Sequence, residues 1–555
     1  MDGCWPNRRV FAALTATAVL LACAPMASGQ GGDPVGRTTT LLSRSMDGGF
    51  PNAPSRKPVI SHDARIGEWV AYESSASDIV PGDSNGVTDV FLVRRDGPYG
   101  SNGTPWRPGG TSLASEGMGG EPANGHSYAA ALDGSTTTKP SCVAFVSEAS
   151  NLVPGDTNGQ PDAFIRDLSS GRIARVSVDS SGREALGPTT EVSVDGRCER
   201  VAFVADAPNL ALKSTNKPSY DSARSTIPRP GSPQVYVRIL RGRGADADVA
   251  GLTFLASASH KTRKASNGPS FDVDMSVSGF ALAFASQGTN LVRGDRHGAS
   301  DIYKLVFRRE SARVRGKRVR QLRFDLMLVS QNRSGRPGNA NSRNPTTTTG
   351  ESRFVAYETI ATNLIKGDNN RVSDVLQADT NPRRPNQGWV SKSLGKVGNG
   401  PSHRPSSTDN GNFVFYDSQA TNLKFDQNPR YDDGDGRESD FFLAIKANRG
   451  RRTGQNWMQS LDKDNNQIPT AAHSPSASSR GNYVPFETAW PFTDPGALAD
   501  DRDLAFLTVD PAMALGSIIP LIDPGQRGAQ APPLTDPVVQ RPELQQVYLR
   551  YTGPR

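Results

Sequence analysis

Residues 143–167 read VAFVSEASNLVPGDTNGQPDAFIRD. Residues 143–147 alternate apolar and small or polar side chains around Phe145, the period-two signature of a strand with one face buried. The Asn-Leu-Val-Pro-Gly-Asp that follows turns the chain, because Pro154 fixes one backbone angle and Gly155 supplies a conformation most residues avoid. Residues 162–166 resume the alternation, with Ala163 and Ile165 as the inward pair. The stretch is therefore two neighbouring antiparallel strands and the loop joining them.

The pattern recurs, more or less worn, seven times. Besides this copy, VAYES (70–74) is followed by DVFLVR (89–94), VAF (201–203) by QVYVR (234–238) after a long Ser/Pro-rich loop, and LAF (282–284) by DIY (301–303). VAY (355–357) precedes DVL (374–376), and FVFY (413–416) precedes DFF (440–442). The most divergent copy, YVPF (483–486), takes QVYLR (546–550) as its return strand, with LAFLT (504–508) as a rival and a Pro-rich surface insertion at about 495–543. Each unit also has an inner strand ending in a Ser-x-Asp-Gly-like turn and an outer Leu/Val-Ser strand, as at 111–115 and 175–178.

Four short strands per unit of roughly 74 residues, with turn residues at fixed offsets, are the sequence form of a β-propeller. The expected fold is all-β and seven-bladed, with six or eight blades as alternatives, and one domain spans 31–555. The last unit ends at its third strand, whereas TTTLLS (38–43) is an orphan that matches an outer strand. It is expected to close the ring by completing the last blade, which removes two exposed sheet edges.

The Ser193-Val-Asp-Gly196 turn followed by Val201-Ala-Phe203 resembles the WD40-like PD40 repeat of TolB-type propellers, and the resemblance covers nearly all of the chain after its leader. TolB is usually described as a six-bladed propeller behind an α/β domain, so its role in envelope integrity does not carry over to seven units without such a domain. The resemblance implies a bacterial, exported, non-catalytic interaction protein.

Residues 1–30 carry Arg8 and Arg9, then an apolar run from 10 to 24, then small residues. This is an export signal, too short and wrongly flanked for a membrane span. Cleavage near Ala27 or Ser28 gives a secreted or periplasmic protein, whereas Leu20-Leu21-Ala22-Cys23 resembles a lipobox and would leave Cys23 lipidated, the only membrane contact expected. Of the four cysteines, Cys142 and Cys198 stand just before the second strands of adjacent units, and in an oxidising compartment they are expected to pair. Hydrophobic residues make up only 35%, while Gly (55) and Pro (41) are abundant, which fits turns rather than helices.

Two constellations are candidates for function. The first is the loop Asp-x-Asn-Gly-x-x-Asp: Asp83, Asn85, Asp89; Asp156, Asn158, Asp162; a variant Asp295, His297, Asp301; and Asp368, Asn370, Asp374, where Arg371 replaces the Gly. Oxygen ligands on alternate residues of a tight loop suit Ca²⁺, and the pattern resembles a shortened integrin-type calcium loop with one carboxylate fewer. The competing reading is turn capping by the first Asp and the Asn, with the last Asp anchoring the next strand. The second constellation is a ring before the inner strands: Arg56, His126, Pro188, Phe271, Arg343, His403 and His473. At the mouth of a central channel these would suit an anionic ligand or acidic partner surface, and three imidazoles could hold a transition metal. Solvated loop residues are the alternative.

The net charge is +7, with much of the excess in RRESARVRGKRVRQLR (308–323), between the third and fourth strands of one blade. Without aromatic interleaving or a groove-reading motif this reads as a solvated hairpin, or as a contact for anionic envelope lipid or cell-wall polymer. Nucleic acid is not expected. No Gly-x-Ser-x-Gly elbow followed by a hydrolase domain is present. The expectation is a monomeric binding scaffold, not an enzyme, with a propeller-type lyase or glycosidase acting at the channel mouth as the alternative.

Overall fold

The Val-Ala-Phe segments form strands buried on both faces: Cys142–Ser147, Arg200–Ala205 and Ala281–Ser286 are buried along their whole length. This corrects the expectation of one buried face. The reason is that each sheet is sandwiched between two others. Ala163 and Ile165 pack with Ala144 and Val146 against Val192 and Val201 of the next sheet, while Phe164, on the opposite face, packs with Val143 and Phe145 against Ala71, Val90 and Leu92 of the preceding one.

The computed structural model describes residues 37–551 except 64–65, 98–105, 212–226, 242–248, 260, 263, 315–316, 382–384, 424–437, 447–454, 461–466, 469, 490–505 and 508–544. The leader with Cys23, and the Pro-rich insertion apart from Phe506–Leu507, lie outside the described residues. Seven antiparallel four-stranded blades, the last with a short fifth segment on its outer edge, form a ring, a seven-bladed β-propeller. Blade 1 spans 55–113, blade 2 127–175, blade 3 189–255, blade 4 270–328, blade 5 342–389, blade 6 402–458, and blade 7 472–551 with 37–41. A short helical turn is formed by Pro208–Leu210.

The apolar interior divides into seven clusters, each filling the space between two neighbouring blades. Within a blade, the second and third strands set two large side chains directly opposite: Tyr72 and Phe91, Phe145 and Phe164, Phe203 and Tyr236, Phe284 and Tyr303, Tyr416 and Phe442, with ring centroids 5.6 to 5.9 Å apart. Cross-strand aromatic pairs of this kind fix register, since a slip of one residue would move each ring to the other face.

Between blades, the first residue of every inner strand donates its N–H to the carbonyl of the residue preceding the third strand of the blade before it. The bonds run from Ser55 to Gln545, Ser127 to Thr88, Thr189 to Pro161, Ser270 to Pro233, Ser342 to Ser300, Ser402 to Ser373 and Ala472 to Ser439, at 2.6 to 2.8 Å. Blades 2 and 3 are also joined by the Cys142–Cys198 disulfide, with Cα atoms 6.2 Å apart. The basic segment extends the outer hairpin of blade 4, where Asp301–Val314 pairs with Lys317–Leu328 without interruption from Tyr303 and Leu328 to Val314 and Lys317.

The ring closes as expected. Arg37–Leu41 lies antiparallel to Gln546–Tyr551, with Thr39 opposite Arg550 and Leu41 opposite Tyr548, and Leu42 N–H bonds to the Val547 carbonyl at 2.8 Å. The rival segment is not the third strand: Phe506–Leu507 pairs with the far edge of Arg37–Leu41.

Leu41 and Leu42 are fully buried, and each contributes about 1.5–3 kcal/mol by burial alone. A chain lacking residues 37–43 is therefore expected to unfold several degrees below one that retains them in a thermal scan; an unchanged midpoint would contradict closure by this strand. Replacing both Cys142 and Cys198 with Ser removes a loop of 56 residues, for which the chain-entropy model expects a loss of about 4 kcal/mol, read by denaturant titration against the oxidised protein.

Candidate functional site at the channel mouth

Each third strand opens with an acceptor side chain, Asp in five blades and Gln234 and Gln546 in the other two. Two residues past the outer strand of the same blade stands a buried serine whose hydroxyl donates to that acceptor. Ser115 bonds Asp89 at 2.6 Å, Ser391 Asp374 at 2.7 Å, Ser257 Gln234 at 2.7 Å and Ser43 Gln546 at 2.9 Å, and Ser177, Ser330 and Ser460 do the same to Asp162, Asp301 and Asp440. In six blades the same hydroxyl oxygen accepts the next backbone N–H of the third strand. The last Asp of the repeated loop is thus a strand anchor.

The loop asparagines complete that anchor. Nδ2 of Asn85, Asn158 and Asn370 donates to Oδ2 of Asp89, Asp162 and Asp374 at 2.6, 3.0 and 2.9 Å, and also to the carbonyls of Ala123, Ala185 and Gly398. Oδ1 accepts the N–H two residues on. An N–H therefore sits where a calcium loop would present an oxygen, which favours the turn-chemistry reading for blades 1, 2 and 5. In blade 2 Arg175 also enters the loop, 3.3 Å from Asp156 and 3.6 Å from Asp162. Arg371 takes a left-handed φ of 59°, the conformation Gly86 and Gly159 hold in the sister loops.

Burial is the first cause that raises the anchoring carboxylates: Asp89, Asp162 and Asp374 to about 6, and Asp301 to about 7.

The proposed ring is only partly assembled. Arg56, Phe271, Arg343, His403 and His473 occupy the second position of their inner strands, opposite Glu73, Ala285, Glu358, Asp417 and Glu487. His126 and Pro188 lie one residue before their strands, where Tyr128 and Thr190 hold the equivalent place. The fixed element is the lead-in seen in Asn124-Gly-His-Ser127 and Asn399-Gly-Pro-Ser402, which places His126 level with Pro401 rather than His403. The His126 ring instead accepts the Thr88 N–H at 3.0 Å, so the three imidazoles do not converge.

The next position of the inner strand turns into the channel on a bulge. Lys57, Ala129, Asp272, Asn344, Arg404 and Ser474 all have φ between 47° and 53°, and a register shift marks the same place in blades 1, 2, 4, 5 and 6, while in blade 3 it falls one residue earlier, between Thr189 and Glu191. Carboxylates receive the backbone N–H groups turned out there: Glu487 from Lys57, Glu73 from Ala129, Asp272 from Asn344, Glu358 from Arg404 and Glu191 from Val273, at 2.7 to 3.1 Å. The cations are held by acids as well. Lys57 lies 3.3 Å from Glu73, His403 3.3 Å from Glu358, and Arg404 forms a two-pronged pair with Asp417 at 2.9 Å while touching His473 at 3.2 Å. Arg343 lies over the Phe271 ring.

Lys57, Ala129, Asp272, Asn344, Arg404 and Ser474, with Glu191 beside them, line a central channel of about 490 Å³. Burial, with Asp272 beside it, pushes Glu191 up to about 7. The bond to Glu358 raises His403, whereas burial and Arg404 lower His473. The acids were legible, since Glu73, Glu358, Asp417 and Glu487 share one place in the second strand, but only the register shows that they face the ring. A larger concavity of about 900 Å³ lies among the outer strands of blades 5 and 6; its Lys446 ammonium is already bonded to the Trp389 carbonyl, and it lies away from this ring.

No family model matches the sequence, and no curated protein does. Among solved structures, the chain is similar to a prolyl endopeptidase at 11% identity and a TM-score of 0.40, over 80% of this chain and 47% of the other. It is similar to an oligogalacturonate lyase in complex with manganese at 9% identity and a TM-score of 0.39, over 94% and 97%. It is also similar to a TolB-type protein from Agrobacterium tumefaciens at 10% identity and a TM-score of 0.30, over 63% and 83%. The chain spans about half the length of the peptidases it matches, 47% and 53% for the first two.

The expectation that the chain is not an enzyme is corrected by these findings: the propellers it matches include those of peptidases and a lyase, so this is a fold that enzymes use. The one Gly-x-Ser-x-Gly match in the sequence, residues 82–86, is the blade 1 turn between two strands, not a strand-to-helix elbow.

The raised acids fix the sign of the pH dependence. Between about pH 4.5 and 7.5 the folded chain holds protons that the unfolded chain has released, so stability falls as pH rises through this window. Asp167 and Glu184, which are lowered, act below it. Calorimetry is expected to give a midpoint several degrees higher near pH 5.5 than near pH 8; the reverse order would refute the burial of these acids.

Proposed function

We propose that this propeller is an exported binding module of the bacterial envelope or extracellular space, and that it receives a partner or ligand at the mouth of its central channel. The PD40-type reading of its repeats belongs to the same proposal. The observation that supports it is the ring of left-handed bulges, which points side chains of six blades into one channel at a cost in backbone strain. The disulfide supports export, since such bonds persist in oxidising compartments.

The chemistry of the mouth revises the ligand class. Three cations of the mouth, Lys57, His403 and Arg404, are already paired with Glu73, Glu358 and Asp417, whereas the hydrogen bonds to Glu191 and Asp272 come from backbone N–H groups. A polar ligand carrying a cationic group, such as a lysine- or arginine-bearing segment, fits this mouth better than a polyanion does.

The test is surface plasmon resonance of the immobilised mature protein against a lysine-rich peptide and against heparin. The cationic probe should bind in a salt-sensitive way, and Glu191→Gln should weaken it about tenfold. Binding of heparin alone, unchanged by Glu191→Gln, would sink the reading. Mass spectrometry of the product recovered from a bacterial host tests export separately: an intact leader in the cytoplasm would refute it, and a mass gain on Cys23 would show the lipid-anchored form.

A further inference from the structure

Blade 4 departs from the sister loops at one residue. Where blades 1, 2 and 5 place Asn85, Asn158 and Asn370, it places His297, between Asp295 and Asp301. The amide that bonds the anchoring carboxylate elsewhere is therefore missing. Asp301 is 0% and Asp295 3% exposed, yet Asp301 Oδ2 and Asp295 Oδ1 have no hydrogen-bond partner, and neither ring nitrogen of His297 has one. The other oxygen of each carboxylate is fixed. Tyr303 donates its hydroxyl to Asp295 Oδ2 at 2.6 Å, and Ser330 donates to Asp301 Oδ1 at 2.5 Å.

The three side chains converge. One ligand atom from each of the three residues lies within 4.8 Å of the other two, and His297 Nε2 is 3.6 Å from Asp301 Oδ2. That gap is too long for a hydrogen bond. It is close to the separation of roughly 3.3 Å between two donors that each sit about 2.0 Å from a tetrahedral metal ion. Leaving two buried carboxylate oxygens unpaired is costly, and a cation among them removes the cost.

We propose that Asp295, His297 and Asp301 bind a divalent transition-metal ion of the zinc class, with Tyr303 and Ser330 orienting the two carboxylates. Imidazole selects Zn²⁺-like ions over Ca²⁺, which needs six or more oxygens. Three protein ligands leave one position for water, and the imidazole, 35% exposed, gives the ion a path from solvent. The site lies in the loop between the second and third strands of blade 4 and is independent of the reading of the channel mouth.

Mature protein stripped with chelator is titrated by calorimetry with Zn²⁺ and, separately, with Ca²⁺. The wild type should take up one equivalent of Zn²⁺ at least tenfold more tightly than Ca²⁺, with a rise in melting temperature. His297→Asn, which copies the sister loops, should keep the metal-free melting temperature and weaken Zn²⁺ at least tenfold, and Asp295→Asn should weaken it likewise. Equal Zn²⁺ affinity in wild type and both variants overturns the proposal, because the ion would then sit on other histidines, and absence of Zn²⁺ binding by the wild type overturns it too.

Discussion

The structure depends on a hydrogen bond repeated at every blade boundary, from the first N–H of an inner strand to the carbonyl that precedes the third strand of the blade before. A net contribution of about 1 kcal/mol each is modest. Its importance is positional. It sets the height at which every inner strand enters the ring, and the apolar faces behind it then meet in one register. Because each blade is buried on both sides, no blade has a core of its own: Ala163 and Phe164, adjacent in sequence, belong to different interfaces. The ends of the chain are bound by the same rule, since Ser55 takes its acceptor from Gln545, near the far end of the chain.

With the entry height fixed, the bulge follows. An inner strand that begins on the neighbour's carbonyl has to turn its third and fourth residues out of the ladder, and six non-glycine residues take left-handed φ values to do so. Such a conformation costs a non-glycine residue about 1–2 kcal/mol. The acids of neighbouring strands offset it by accepting the N–H groups turned outward. The carboxylates at the channel mouth are thus structural acceptors first.

Much of this was legible in the sequence. The Val-Ala-Phe repeats, the orphan closing strand and the two cysteines each carry a local signature that tertiary packing could only complete. Other features were not, because they depend on what lies opposite. Period-two alternation is the same whether one face of a strand is buried or two, so Cys142–Ser147 could not show its second interface. The serines that anchor the third strands stand 15 to 29 residues from their acceptors in blades 1 to 6 and 503 away in blade 7; only paired strands reveal them. An asparagine side chain reads equally as an oxygen or an N–H donor until its neighbours fix its orientation, and that orientation separates a turn from a calcium loop.

The repeats also allow one electrostatic problem to be followed through several solutions. A side chain that opens a third strand must be buried, and as aspartate it has one oxygen more than its serine can satisfy. Blades 1 and 5 meet the surplus with an asparagine amide, blade 2 adds a guanidinium from Arg175, and blade 6 uses the amide of Gln467. Blades 3 and 7 remove the charge by using glutamine. In blade 4 the surplus oxygen faces an imidazole beyond hydrogen-bond reach and a second buried aspartate. Every other solution brings an N–H group to the oxygen or takes its charge away; in blade 4 the lone pairs gather with no such donor bonded to the surplus oxygen, and lone pairs gathered in a buried place are stabilised by a cation.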